Sequence, residues 1–474
     1  MLFNSFPYIF LFLPVSVIVY FSLNRISETA GKYWLVIISL IFYSFGSLTY
    51  LPLLLLSILA NYAISIPLHR NQTDNQQSKS NSKKILTIGI IFNVGLLAFF
   101  KYSDFFIANV NQATNMNISF LRLAIPLAIS FYTFQQITYL VDTYRREIKE
   151  TNFLDYCIFV TFFPRLMMGP ITRYNEIMPQ FQLAAQKKID YRNMSLGLFL
   201  FFLGLCKRVV IADTFGVYAD LGYKATQNLS MAEAWITSLS YTFQIYFDFS
   251  GYTDMAIGTA YFFNIKLPFN FNSPYLSVNI QDFWRRWHIT LSRFLRDYIY
   301  IPLGGNRKGE TSTYINIMIT FLIGGLWHGA GWTFIIWGGI HGTALCIQRA
   351  WKKLNIQIPK LLAIFITFNI VNIAWIFFRA KSLQEAINVC NAMAGFNTVQ
   401  GIKAFETVGL FDHALALAIG IIAVVATFSL KNSNTIPNVF KPSTSMALIT
   451  TALIIVSLFF LNSVIPKGFI YNDF

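Results

Sequence analysis

Charge is what this 474-residue chain has least of. Asp, Glu, Lys and Arg make up 12% of it, against about 25% in an average soluble domain. Hydrophobic residues make up 55% and aromatic residues 17%, more apolar surface than a soluble fold can hide. Cysteine is also sparse: Cys157, Cys206, Cys346 and Cys390 stand far apart in or beside apolar runs. With no paired spacing, they argue against a disulfide framework and against a zinc site. H-E-x-x-H, G-x-S-x-G and Walker A sequences are missing, which argues against those zincin, hydrolase and ATPase classes. Neither an internal repeat nor a soluble domain boundary is visible. Lys and Arg outnumber Asp and Glu by 36 to 21. No basic soluble domain carries that excess, so it reads as the basic cytoplasmic loops of a membrane protein and not as a nucleic-acid surface.

What is present is a succession of apolar runs long enough to cross a hydrocarbon layer of about 30 Å as helices. Candidate spans are 7–23, 33–47, 48–68, 85–101, 120–140, 193–212, 232–263, 313–325, 330–348, 359–378, 409–428 and 445–465. Some are short and one is overlong, which predicts an all-α polytopic protein with about eleven to thirteen crossings. The chain reads as one integral membrane domain over 1–474. The stretch 153–174 holds Pro164, Arg165, Gly169, Pro170 and Arg173, and is expected to be re-entrant or broken. Met1–Leu23 lacks a basic start and a small-residue cleavage site, so it reads as a retained first span. Arg25 and Lys32, then Arg70, Lys79, Lys83 and Lys84, then Arg145, Arg146 and Lys149 mark alternate loops as cytoplasmic, with the N-terminus outside. The segment 71–84, mostly Asn, Gln, Ser and Lys without a large apolar residue, is expected to be a mobile connection.

Two of the five histidines stand in unusual surroundings. His328 lies in Ile323-Gly-Gly-Leu-Trp-His-Gly-Ala-Gly-Trp332, where Gly324, Gly325, Gly329 and Gly331 leave room for another helix or a slender substrate. An ionisable residue at membrane depth points to function; the structural alternative is a neutral ring that fixes packing. The second segment runs from Asp282 to Tyr298. On one continuous helix, at about 100° per residue, Asp282, Arg285, Arg286, Arg293, Arg296 and Asp297 share a side. Aromatic and leucine residues fill the opposite side, and His288 falls at the border. Such a helix either anchors at a membrane surface or lines a polar funnel. Its arginines suit the phosphates of a nucleotide thioester, or equally pairing with Asp282 and Asp297.

A third segment, Gln244-Ile-Tyr-Phe-Asp-Phe-Ser-Gly-Tyr-Thr-Asp254, carries two carboxylates about 120° apart on a helix. They are expected to partner Arg or hydroxyl groups unless Gly251 breaks the helix, and not to act as an acid–base pair. His341 is assigned to packing, while His69 and His413 at span ends carry no signal.

Taken together, Met1-Leu-Phe-Asn-Ser5, Phe162-Phe-Pro-Arg-Leu-Met-Met-Gly-Pro-Ile171, Gln244 to Gly258, Asp282 to Gly305 and Gly324 to Gly329 resemble a known family. Their order and spacing are similar to those of membrane-bound O-acyltransferases, specifically the alginate O-acetylase branch, up to about residue 380. Similar motifs occur in D-alanyl transferases of teichoic acid systems; chain length and Pro302-Leu-Gly-Gly-Asn306 favour the polysaccharide acetylases.

The resemblance implies a transmembrane bundle with re-entrant and amphipathic helices around a central channel, and a motif-bearing core at about 120–350. It implies a catalytic His328 and a functional His288, with no permanently bound cofactor and no metal. The donor it implies is a cytosolic thioester, acetyl-CoA, whose acetyl group crosses the cell inner membrane to an extracytoplasmic polysaccharide such as alginate. Periplasmic serine-hydrolase-like acetyltransferases are the implied partners. Arg285, Arg286, Arg293 and Arg296 are candidates for the donor phosphates. His328 would be general base and His288 would orient the acceptor or assist proton transfer, with a covalent acyl-histidine as the other route. The rivals are D-alanyl or other acyl transfer to a cell-wall polymer and, from another class, a transporter or flippase.

Overall fold

Apolar runs at membrane depth leave a backbone amide no partner except its own helix. The computed structural model follows that rule: it is helical, with no strand among the described residues, which are 1–70, 76–149, 152–183, 188–397, 401, 403–429 and 432–463. Among the described residues, eight segments are long and apolar enough to cross a membrane: Tyr8–Ile26, Glu28–Gly46, Leu48–Arg70, Gln76–Thr114, Tyr191–Lys224, Lys360–Arg379, Asp412–Ser429 and Thr444–Asn462. The remaining expected crossings fall on the helices Ile129–Tyr144, Met231–Tyr261, Glu310–His328 and Trp332–Lys353. These helices bury polar side chains, among them Gln135, Gln136, Asp248, Asp254, His328 and His341.

The helices gather into two compact units. The first comprises Met1–Phe201 with Ala256–Pro268. It contains α1 (Leu13–Ile26), α2 (Glu28–Ser47), α3 (Leu51–Arg70), α4 (Gln76–Thr114), α5 (Ile129–Tyr144), the short α6 (Phe153–Thr161) and α7 (Phe163–Leu166), and α8 (Tyr174–Gln182). Its core is aromatic: Phe163 sits 5.2 Å from Phe12 and 5.5 Å from Phe42 between ring centroids. An amide cluster joins three of its helices. Ser57 Oγ and Asn61 Nδ2 both donate to Gln136 Oε1, at 2.8 and 3.0 Å, and Asn61 and Asn93 exchange amide hydrogen bonds. The stretch 153–174 is broken as expected, at Phe162 between α6 and α7 and again after Leu166. The expected connection at 71–84 is different. Residues 71–75 lie outside the described residues, but from Gln76 onward the polar segment is already the first turns of the 39-residue α4. Gln, Ser and Lys carry no helix-breaking feature, and the apolar run behind them propagates the helix backward.

The second unit comprises Phe202–Met255 with Phe269–Phe474. The helix α9 (Tyr191–Cys206) continues through a π-helical segment, Lys207–Ala212, into α10 (Asp213–Lys224). The 31-residue α11 (Met231–Tyr261) runs unbroken through Gly251. After it come α12 (Ile280–Arg286), α13 (Ile289–Leu295), α14 (Glu310–His328), α15 (Trp332–Lys353), α16 (Lys360–Arg379) and α17 (Leu383–Met393). The chain ends in α18 (Leu410–Ser429), α19 (Ile436–Val439) and α20 (Thr444–Ser463).

α14 and α15 form a hairpin whose backbones nearly touch. A Cβ at Gly325 would lie 2.3 Å from the Phe334 carbonyl oxygen, and one at Gly338 would lie 2.3 Å from that of Phe321. Two of the glycine-rich positions thus serve helix approach.

Candidate active site

The segment expected to be one amphipathic helix from Asp282 to Tyr298 is two helices with a break at Trp287–His288. This corrects the single charged stripe. His288 adopts φ 42°, ψ 54°, in the left-handed region. Asn270 stabilises the break: its carbonyl accepts from Ile289 N–H at 3.0 Å, and its Oδ1 accepts from the Thr290 hydroxyl at 2.7 Å. Asn272 N–H in turn donates to the Arg286 carbonyl at 2.9 Å. The loop before α12 therefore supplies the hydrogen bonds that a continuous helix would have made. His288, instead of standing at the edge of a charged stripe, is turned inward and is 1% exposed.

There it lies edge-on to Phe249 of α11, ring centroids 4.7 Å apart, and 6.3 Å from Trp327. Both ring nitrogens are buried without a hydrogen-bond partner among the described residues. Burial pushes its imidazole down to about 3, so the ring is neutral at physiological pH.

His328 ends α14, where Gly329 turns extended and closes the helix. Its ring lies edge-on to Trp327 at 4.7 Å, Trp337 at 4.9 Å and Phe378 at 5.1 Å, and it is 4% exposed. Two histidines forty residues apart in the chain are thus packed against the same indole, that of Trp327. The aromatic shell holds them in place by edge-to-face contact and keeps water from the imidazoles. His341 is also buried, accepting at Nδ1 from Trp284 Nε1 at 3.3 Å.

The four arginines separate. Arg285 and Arg286 line a cavity of about 1680 Å³ between α12, α15 and α16, together with Lys352 and Lys360 and walls that include Ile340 and Ile366. Arg286 is held there by Asp282, Nε to Oδ1 2.9 Å. Arg296 is exposed and paired with Asp297, and neither it nor Arg293 reaches the cavity. Neither histidine lines it.

The two carboxylates of α11 find cations, as their separation on the helix required. Arg208 Nε meets Asp248 at 2.5 Å and its Nη1 meets Asp213 at 2.6 Å; Lys207 Nζ meets Asp254 at 2.6 Å, where Ser433 also donates at 2.9 Å. Both cations stand at the start of the π-helical segment Lys207–Ala212. Sequence reasoning missed Lys207 and Arg208, although two cations inside an apolar span were a signal. It also missed Asn270, Phe249, Trp337 and Phe378, which carry no local mark.

Residues 37–383 match the profile of the MBOAT, membrane-bound O-acyltransferase family. The chain is similar to a peptidoglycan O-acetyltransferase of Helicobacter pylori, 50% identical over 430 residues that cover 84% of this chain and 81% of that protein. It is 38% identical to a probable alginate O-acetylase of Pseudomonas aeruginosa over 432 residues, 89% of this chain and 81% of the other. A teichoic acid D-alanyltransferase of Bacillus subtilis is 30% identical over 277 residues, 55% of this chain and 70% of its own.

Proposed function

This chain belongs to the membrane-bound O-acyltransferase family and is an O-acyltransferase, and we propose that it transfers acetyl groups from acetyl-CoA in the cytosol to a polysaccharide outside the inner membrane. The observation that carries this reading is the packing of His288 and His328 against Trp327 in a closed aromatic shell. Acetylase relatives match 84–89% of the chain and the D-alanyltransferase 55%, which favours acetyl as the group. Among the polymers that the relatives' names give, peptidoglycan has the support of 50% identity against 38% for alginate.

In this reading His328 takes the proton of the acceptor hydroxyl, whose oxygen forms a bond to the thioester carbonyl carbon. The carbon–sulfur bond then breaks, and the leaving thiolate receives the proton from His328. His288, neutral and with both nitrogens open to a ligand, orients the acceptor and does not compete for its proton. Arg285 and Arg286, at the cavity between α12, α15 and α16, bind donor phosphates. The histidines bring donor and acceptor together in a dry site, so that proximity supplies much of the rate. The whole chain acts as one domain around a central channel, with its N-terminus in the periplasm. Serine-hydrolase-like proteins there complete delivery to the polymer.

The test is acetylation of the cell's polymer by a His328→Ala variant present in membranes at normal abundance; retained acetylation would sink the assignment. Purified protein incubated with radiolabelled acetyl-CoA gives the second arm: release of acetyl from CoA is expected, and its absence alongside D-alanyl transfer would favour the teichoic-type chemistry.

A further inference from the structure

Three side chains on the far side of His328 carry an N–H that no described residue accepts. Trp337 of α15 lies edge-on to His328, and His341, one turn later, lies edge-on to Trp337 at 4.8 Å between centroids. Trp375 of α16 stacks on Trp337 at 5.9 Å and stands 6.3 Å from His341. All three are at most 1% exposed. An indole N–H can only donate, so the hydrogen bond from Trp284 requires a lone pair on His341 Nδ1 and places the ring proton on Nε2. His341 Nε2–H, Trp337 Nε1–H and Trp375 Nε1–H are then three buried donors without acceptors among the described residues. Asn372, one turn before Trp375, repeats the pattern. Its Oδ1 accepts from Ser238 and Thr242, at 2.9 and 2.7 Å, while its Nδ2 finds no acceptor.

Packing does not call for these groups. Phe283, Phe321 and Phe378 fill the same cluster without a polar atom, and an orphaned buried donor is a net cost to folding. On this side of His328 the excess is of one kind, donors, and one of them, Trp337, packs against His328.

We propose that His341, with the indoles of Trp337 and Trp375, is a donor site for the carbonyl oxygen of the acyl group in transit. As the acceptor oxygen bonds to the carbonyl carbon and its proton passes to His328, the carbonyl electron pair moves onto that oxygen, where the N–H groups stabilise it. The pair returns as the carbon–sulfur bond breaks, and the thiolate leaves with the proton from His328. The proposal rests on the role of His328 given above.

The experiment uses membrane vesicles carrying the full chain and initial rates of acetyl release from radiolabelled acetyl-CoA. His341→Phe keeps the ring volume and removes the donor; kcat is expected to fall about 100-fold, with KM for acetyl-CoA changed less than about 3-fold. His341→Gln restores an N–H and is expected to recover about 10-fold of that loss. Trp337→Phe gives an independent arm should His341→Phe fail to fold, with an expected loss of about 10-fold in kcat. Wild-type kcat in His341→Phe, or in Trp337→Phe where that arm is used, overturns the proposal. So does a His341→Gln variant no better than His341→Phe, which is the outcome of a purely structural role. His328→Ala is run in parallel. Activity retained there overturns the general-base reading, whereas an inactive His328→Ala beside a fully active His341→Phe overturns only the donor site.

Discussion

Two buried polar regions of the second unit handle their polarity in opposite ways. Along α11, Asp248 and Asp254 each receive a cation from the π-helical segment, and Asp254 also has the Ser433 hydroxyl. Around α14–α16, by contrast, His288 keeps two ring nitrogens, and Trp337, Trp375 and His341 each an N–H, without a partner among the described residues. In the first region cations meet the carboxylates and tie helices together. The second is polar without internal satisfaction, as a place for a ligand must be. In the proposed function, the difference separates polar groups that the fold needs from polar groups that the chemistry needs.

Substitutions can break that comparison. The largest effect is expected at His328: Ala there should lower acetyl release from acetyl-CoA by about 10³-fold while the thermal midpoint of the purified protein stays put. Asp248→Ala should do the reverse, taking a buried carboxylate away from Arg208 and costing about 3–5 kcal/mol, read as lost folded protein in membranes. A stable but inactive Asp248→Ala protein would mean that the ion pairs belong to the chemistry and that the contrast is wrong. His288→Asn tolerates the left-handed backbone and removes the imidazole, so a loss of about 10² in kcat without unfolding is expected. Arg285→Ala should raise the KM for acetyl-CoA about 5-fold with kcat unchanged, measured on the same vesicles.

The smallest effect is on acid stability. His288 is held down to about 3, so below the ordinary histidine value near 6.5 the unfolded chain takes up a proton that the folded chain refuses. Stability therefore falls with acid from that point, by about 0.7 kcal/mol between pH 7 and pH 6 from this residue. His288→Asn should remove that part of the slope in thermal midpoints recorded across the interval.

The helical, membrane-crossing character was legible because apolar runs and helix periodicity are local properties. His328 and His288 were legible as candidates because ionisable rings are conspicuous in apolar surroundings. The break at His288 was not. It depends on Asn270, eighteen residues earlier, whose carbonyl and side chain replace the helical hydrogen bonds. A projection at a constant angle per residue assumes the continuity that Asn270 removes. The start of α4 was misjudged for the opposite reason, since polar composition was taken for a break although nothing in Gln76–Lys84 stops a helix. The partners of Asp248 and Asp254 were expected in kind. Their identity depends on which helix packs beside α11, a tertiary contact that has no signature in the residues themselves.

The backbone contact at Gly325 and Gly338 has a mechanical consequence. With carbonyl oxygens standing where a Cβ would be, α14 cannot be prised from α15 without opening two gaps, so the hairpin moves as one rigid arm that carries His328, Trp337 and His341 together. Compliance at the site has to come from the elements pressed against that arm, α12 and α16, which carry Trp284, Trp375 and Phe378. A crosslink within the hairpin would leave turnover unchanged, whereas one tying α15 to α16 would act as a brake.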